Sequence, residues 1–584
     1  MLAPACLVFL LLGQTAAKPA APNDAARDLY RLLDDEWEHT MQVSPTWASS
    51  LGDRRWNDRW EDISLAAIQR EHEHDRQVLA RLAKIDRSKL AADEQLDLDL
   101  FGRSYGLRVE EFPFGLHLIA LNQREGVQTA DELADGLRFE SVKDYEDWLA
   151  RLRGLPAYLD QTTVLLREGM KRKIVQPKVT MQRVPAQIAR QIVDEPDKSS
   201  FFKPFRRWPS DIATADQERL AGQAQEVIRT AVIPAYRKFH KFFVEEYLPA
   251  CFDGVGAWRM ADGDKLYAFV ARKHTTTKLT PQEIHDIGQR EVKRIRAAME
   301  KVKEQAGFKG SLPEFFHFLR TDPQFFCKTP QELLVAYQAM SKRIDPTLVK
   351  LFRTHPRMPY GIETIPEKIA PDTTTAYYRP PAADGSRAGS YFVNLYRPET
   401  RPKWEMMALS LHEAVPGHHF QIALAQEHTA MPHFRRHGHF TAYIEGWGLY
   451  AESLGEDLGL YDDPYSKFGQ LTYEMWRAVR LVVDTGIHAL KWERQQAIDF
   501  FKDNAPKAEL DIVNEIDRYI SWPGQALAYK IGELKIKELR ATARRELGDR
   551  FDIREFHDVV LLSGAVPLDI LEQRVNAWVK SKTK

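Results

Sequence analysis

Residues 409–421 read LSLHEAVPGHHFQ, which places His412 and Glu413 ahead of Pro416-Gly417 and the pair His418-His419. In an H-E-x-x-H helix two imidazoles at i and i+4 face one zinc ion, and the Glu between them polarises a water. Here Pro416 stands at the i+4 position. On a regular helix His418 lies about 600° round from His412, on another face, and His419 lies about 10.5 Å further along the axis. Neither spacing lets one zinc reach both rings through bonds of about 2.0–2.1 Å. Pro416 offers a remedy, because it has no N–H for the His412 carbonyl and its ring crowds that carbonyl. Gly417 frees the backbone beside it. A break between Val415 and His418 predicts His412 and His418 as metal ligands, with His419 as the alternate, and Glu413 as general base. The displaced His419 could then bond Glu452.

A third ligand is available downstream. The segment 441–455, TAYIEGWGLYAESLG, carries Glu445 and Glu452 seven residues apart, on one face of an apolar helix. Burying a carboxylate there is costly unless it is paired or bound to metal. Glu445 follows the His pair by 26 or 27 residues, room for one helix to end and another to return beside it. Arg480, Asp484 and His488 step by four along a further helix. Arg480 suits a peptide carboxylate, and His488 suits a developing oxyanion. Arg518 and Tyr519 are further candidates for substrate binding, and Tyr529 for catalysis. His433, His437 and His439 read as a polar loop rather than as ligands.

The elements that must hold these residues are helices. Thr280, Pro281 and Glu283 form a helix start with a capping box. Apolar residues recur at helical spacing over 217–246, 404–427, 465–490 and 512–539. The best extended segment is 390–396. The pattern predicts a mostly α fold with one small β-sheet near the active site. One large catalytic unit, 18–584, is expected, with an N-terminal helical lobe to 254 and a metal-site lobe over 255–584.

With 82 Lys+Arg against 83 Asp+Glu, net charge is −1, without the basic excess expected of a nucleic-acid binder. Three Cys make neither a disulfide framework nor a Cys-based zinc site, and Cys251 and Cys327 could pair or be two buried thiols. The apolar run 7–12, followed by Thr15-Ala16-Ala17, reads as a signal peptide over 1–17 and implies a periplasmic or secreted protein. Cys6 opens the run rather than following it, which argues against an N-terminal lipid anchor. No later stretch approaches a membrane span. A serine hydrolase is disfavoured by the lack of a G-x-S-x-G elbow.

The strings HEAVPGHHFQ, YIEGWGLYAESLG, RLVVDTGIHALKW and RYISWPGQALAYKIG resemble those of the bacterial family of domain of unknown function 885. The resemblance runs over nearly the whole chain. It implies a zincin-like, mostly helical metallopeptidase architecture, with Zn2+ on His412, His418 and Glu445 and Glu413 as general base. It also implies a late Tyr, Tyr529 or Tyr519, that stabilises the tetrahedral intermediate. The Pro416-Gly417 insertion departs from the usual spacing. The expected activity is hydrolysis of short peptides, of carboxypeptidase or oligopeptidase type. The alternative is a catalytically inactive zincin-like shell that binds peptides.

N-terminal sequencing of the exported protein should return a chain beginning near Lys18; an intact Met1 in a cytosolic fraction would overturn the signal-peptide reading.

Overall fold

The computed structural model describes residues 23–583 apart from Lys368. The signal-peptide reading lies outside the described residues. Seven helices matter most for the site: α1 (Pro281–Gln305), α2 (Met406–Glu413), α3 (His418–Glu427), α4 (Thr441–Leu458), α5 (Pro464–His488), α6 (Glu509–Ser521) and α7 (Ala528–Leu547). The fold is mostly α with one small sheet. α1 starts as its capping box predicts, with Thr280 accepting from the Glu283 N–H and Glu283 accepting from the Thr280 N–H.

Three large apolar cores, with smaller clusters beside them, are found among the described residues. One forms where α4 packs on α7 under the C-terminal helices, and a second where α5 lies along α1. A third fills the N-terminal half around Trp148 of the helix Val142–Arg172. α5 is buried from Phe468 to His488 without interruption. A helix apolar or satisfied all round belongs at the centre of a fold, and α5 is the post on which the site residues stand.

The sheet has the order β1-β3-β2. β1 (Tyr360–Thr364) runs parallel to β3 (Gly389–Val393), and β2 (Ala376–Arg379) runs antiparallel to it, pairing Tyr378 with Tyr391. The strand expected at 390–396 is β3, buried at every position.

Prolines divide three of the expected helices. The stretch 217–246 contains two wide turns, Ile228–Val232 and Phe243–Tyr247, each just ahead of a proline (Pro234, Pro249) that withdraws an N–H from the ladder. The stretch 512–539 splits at Pro523-Gly524, where Gly524 adopts φ +80° and its N–H donates to Asp484. The stretch 404–427 splits at Pro416-Gly417. Cys251 and Cys327 are both free thiols, so they do not pair. Among the described residues no helix is long and apolar enough to cross a membrane.

α4 and α7 touch backbone to backbone. A Cβ on Gly532 would lie 1.8 Å from the Ala442 carbonyl oxygen, and one on Gly446 would lie 2.5 Å from the Gly532 Cα. Gly532→Ala should therefore force the two helices apart and destabilise the fold by about 1–3 kcal/mol, read as a lower denaturation midpoint in urea. An unchanged midpoint would show that the contact is not needed.

Candidate metal centre

α2 ends at Glu413 and α3 begins at His418, so the helix is interrupted over 414–417, and the Val415–Pro416 peptide is cis. The Trp447 indole N–H donates to the Pro416 carbonyl at 2.7 Å and ties the break to α4. A Cβ on Gly417 would lie 1.9 Å from the His412 carbonyl oxygen, so no other residue fits there. The chain doubles back on itself, and the rings of His412 and His418 meet edge to face with centroids 4.7 Å apart.

Glu445 stands between them. Its Oε2 lies 3.7 Å from His412 Nε2 and 3.5 Å from His418 Nε2, and ligand atoms of the three residues all fall within 4.8 Å of one another. Two ligands on a tetrahedral zinc with bonds of about 2.0–2.1 Å are themselves about 3.3–3.4 Å apart. Glu445 Oε2 is buried with no hydrogen-bond partner. A bare carboxylate oxygen is costly to bury. The donor set, its spacing and this orphan oxygen all fit a small divalent cation.

The orientation of His412 is fixed from behind. Glu452 Oε1 accepts from His412 Nδ1 at 2.8 Å and also lies 3.3 Å from the Arg477 guanidinium. This leaves His412 Nε2 facing Glu445. Gly448 lies between the two carboxylates on the same face of α4, where a Cβ would come within 2.8 Å of the His412 ring. α4 thus offers the imidazole a slot with a carboxylate at either end. Burial opposes charge on His412, but the carboxylates of Glu445 and Glu452 on either side raise its pKa to about 9. Burial likewise opposes charge on Glu445, and the two imidazoles hold its carboxyl well below the usual range.

The three residues line a cavity of about 250 Å³ that Glu413, Tyr529, Tyr378, Arg124, Arg477, Arg480 and Arg518 also face. Glu413, the last residue of α2, is at the cavity wall. The Tyr529 ring lies nearly parallel to that of His412, at 6.4 Å, with the Arg480 guanidinium 4.2 Å from its centroid. Burial, then the Glu445 charge, raises the Tyr529 pKa and keeps the phenol protonated. Glu515 anchors both arginines, accepting from Arg480 and Arg518 at 3.0 Å each. One Arg480 nitrogen, Nη1, is buried without a partner.

Three expected placements are corrected. His419 points away from the trio: its Nε2 donates to the Met358 carbonyl at 2.9 Å and its Nδ1 takes the Tyr378 hydroxyl at 2.8 Å. Its suggested partner, Glu452, serves His412 instead. Tyr519 stands behind the cavity wall, its hydroxyl accepting from Arg480 Nε at 2.8 Å and from Trp476 at 3.0 Å, so it positions Arg480 rather than touching a ligand in the cavity. His488 is wholly buried, with Nδ1 accepting from the Ala257 N–H and Nε2 donating to the Tyr519 carbonyl. Burial pushes its pKa down to about 4, and it has no free nitrogen for an oxyanion. Asp484 of the same helix is engaged by the Tyr267 hydroxyl and by Gly524. His433 and His437 stack on Trp37.

Sequence reasoning missed Arg124, Arg477, Glu515 and Tyr378. The i, i+3 spacing of Glu515 and Arg518 carries a signal for that pair. Arg124 has none, since its place depends on how the N-terminal half docks. Gln123 beside it donates to the Asp517 carbonyl and accepts from Ser521.

Residues 45–575 match the family model described as a bacterial protein of unknown function, DUF885. Among solved structures, a "putative lipoprotein" from Colwellia psychrerythraea superposes with a TM-score of 0.91 at 29% identity, covering 96% of this chain and 100% of that one. A "putative lipoprotein of unknown function" from Shewanella oneidensis gives a TM-score of 0.70 at 16% identity, covering 94% and 99%. No curated protein matches the chain.

Metal analysis of purified variants checks the ligand assignment. His412→Ala and His418→Ala should each lose stoichiometric zinc, His419→Ala should keep it, and Glu452→Gln should weaken binding by about 10- to 100-fold. Zinc retained by His418→Ala and lost by His419→Ala would reverse the assignment.

Proposed function

The chain belongs to the DUF885 family of bacterial proteins, and from that premise we propose that it is a zinc-dependent peptidase that hydrolyses short peptides outside the cytoplasm. The observation that carries this reading is the buried, unpartnered Glu445 Oε2 with two imidazole nitrogens 3.5 and 3.7 Å away. His412, His418 and Glu445 would hold the ion, which supplies a Lewis acid for the scissile carbonyl and lowers the pKa of water.

The remaining steps fall to the chain's own side chains. Glu413 takes a proton from the attacking water and returns it to the leaving nitrogen, so the enzyme ends as it began. The protonated Tyr529 hydroxyl donates to the carbonyl oxygen as negative charge builds on it. Arg480 and Arg518, held by Glu515, give the cavity a positive wall suited to a substrate carboxylate. Tyr519 keeps Arg480 in place. The cavity is small and walled by buried groups, which favours short peptides. The lipoprotein description of the two solved relatives supports a place in the cell envelope or beyond it.

Glu413→Gln should keep its zinc and lose about 10²–10⁴-fold in kcat against a peptide library read by mass spectrometry, and a chelator should abolish wild-type cleavage. Wild-type turnover by Glu413→Gln would remove Glu413 from the chemistry. A zinc-loaded wild type that binds peptides and cuts none would make the protein a peptide receptor instead.

A further inference from the structure

A second cavity, of about 400 Å³, receives three arginines from separate stretches of chain. Arg379 ends β2, Arg387 lies in the β2–β3 connection, and Arg436 ends a short helical turn, His433–Arg436. His437 and His439 complete the polar rim, and among the described residues no Asp or Glu lines it. The other walls are largely apolar, with Trp47, Leu51 and Ile422 the bulkiest.

The donors of this cluster are only partly used. Arg379 Nε, Arg436 Nε and His437 Nδ1 are buried without hydrogen-bond partners. Arg379 reaches Ser390 Oγ at 3.4 Å and Glu363 at 3.6 Å, which is a loose pairing, and its guanidinium sits over the Phe392 ring. Arg387 donates to the Pro380 and Ser50 carbonyls at 3.2 and 3.4 Å, and Arg436 donates to the His433 ring. Burial, and then the charge of Arg379, lowers the Arg387 pKa, and burial lowers that of Arg436. Arginines gathered in one cavity, with Glu363 the one carboxylate in loose reach of Arg379 among the described residues, suit an anion that arrives from outside.

The cavity adjoins the metal centre along two elements. β2 leaves the metal cavity at Tyr378 and enters this one at Arg379. On α3, Gln421 and Ile422 line it one turn beyond His418, and Ala425 lines it a turn later. The helix rise puts these residues about 4.5–10.5 Å from His418 along the axis, a span that takes in the reach of two or three residues of extended peptide.

We propose that this cavity binds a carboxylate on an apolar stem, such as an acidic side chain of a peptide. The planar guanidinium groups match a carboxylate, and the apolar walls would cover the methylenes that carry it. Inorganic phosphate shares the charge but has no stem to place there. Anion binding here stands without the peptidase reading; use of the site to hold an acidic residue two or three positions from the cleaved bond rests on it.

Calorimetric titration of the full chain with glutarate, and separately with inorganic phosphate, tests the assignment. The glutarate affinity of R379Q/R436Q should fall by about tenfold or more, and that of K265Q, a control on the exposed surface, should change by less than about twofold. Loss in R480Q with none in R379Q/R436Q would put the carboxylate at the metal cavity and overturn the proposal. Tighter binding of phosphate than of glutarate would overturn the choice of ligand. If R379Q/R436Q does not fold, phenylglyoxal modification of the wild type, mapped by mass spectrometry, replaces it. Glutarate should protect Arg379 and Arg436, and equal modification with and without glutarate would refute the site. Binding lost while peptides are still cut counts against this site alone, and binding kept without cleavage counts against the peptidase reading alone.

Discussion

His412 is held between Glu445 and Glu452, two carboxylates of one helix, and the rest of the centre is arranged to make that possible. Both acids lie on the face of α4 that turns inward, where an uncompensated negative charge is expensive. The imidazole bridges them because Gly448 leaves room for it, and Arg477 takes up the remaining demand of Glu452. α2 has to deliver His412 at that height and then leave, since a continuing helix would carry the next imidazole round to the wrong side. The break over 414–417 meets both requirements. Trp447, two residues after Glu445, fastens the break to the helix that supplies the carboxylates. The carboxylate helix, the break and the slot are therefore one unit.

The opposite wall works by a different rule. Arg480 and Arg518 are buried cations that share one buried anion, Glu515, and the Tyr519 hydroxyl takes a further donor. One acid for two arginines leaves positive charge facing the cavity while neither guanidinium is stranded. α5 contributes Arg477 toward His412 and Glu452 and Arg480 toward this wall, three residues apart and so on neighbouring faces. A fully buried helix can do this because its charged residues meet counterparts on the elements packed against it, Glu452 of α4 for Arg477, Glu515 of α6 for Arg480, and Tyr267 with Gly524 for Asp484.

Much of this was readable from residue order. The helix start at Thr280, the strand at 390–396, the break at Pro416-Gly417 and the convergence of His412, His418 and Glu445 follow from periodicity, capping and the properties of proline. Those are local rules, and they act within a few residues. The reading went astray where partners come from afar. Helical spacing placed Arg480, Asp484 and His488 on one face, but it could not show that Tyr267, Gly524, Ala257 and the Tyr519 carbonyl already occupied the last two. Glu452 bonds His412 rather than His419 for the same reason. Met358 and Tyr378 hold His419 on the sheet side.

Arg124 reaches the cavity from the first quarter of the chain, and Tyr529 from the last tenth. Synthesis proceeds from the N-terminus, so Arg124 leaves the ribosome some four hundred residues ahead of Tyr529. During that interval His412, His418 and Glu445 also emerge, but the cavity lacks its late wall, with Arg518, Trp522 and Tyr529 still to come. Whatever the finished cavity does, a growing or truncated chain does not present it whole. The cavity is closed only when the last helices fold, so a chain still growing carries no finished cavity.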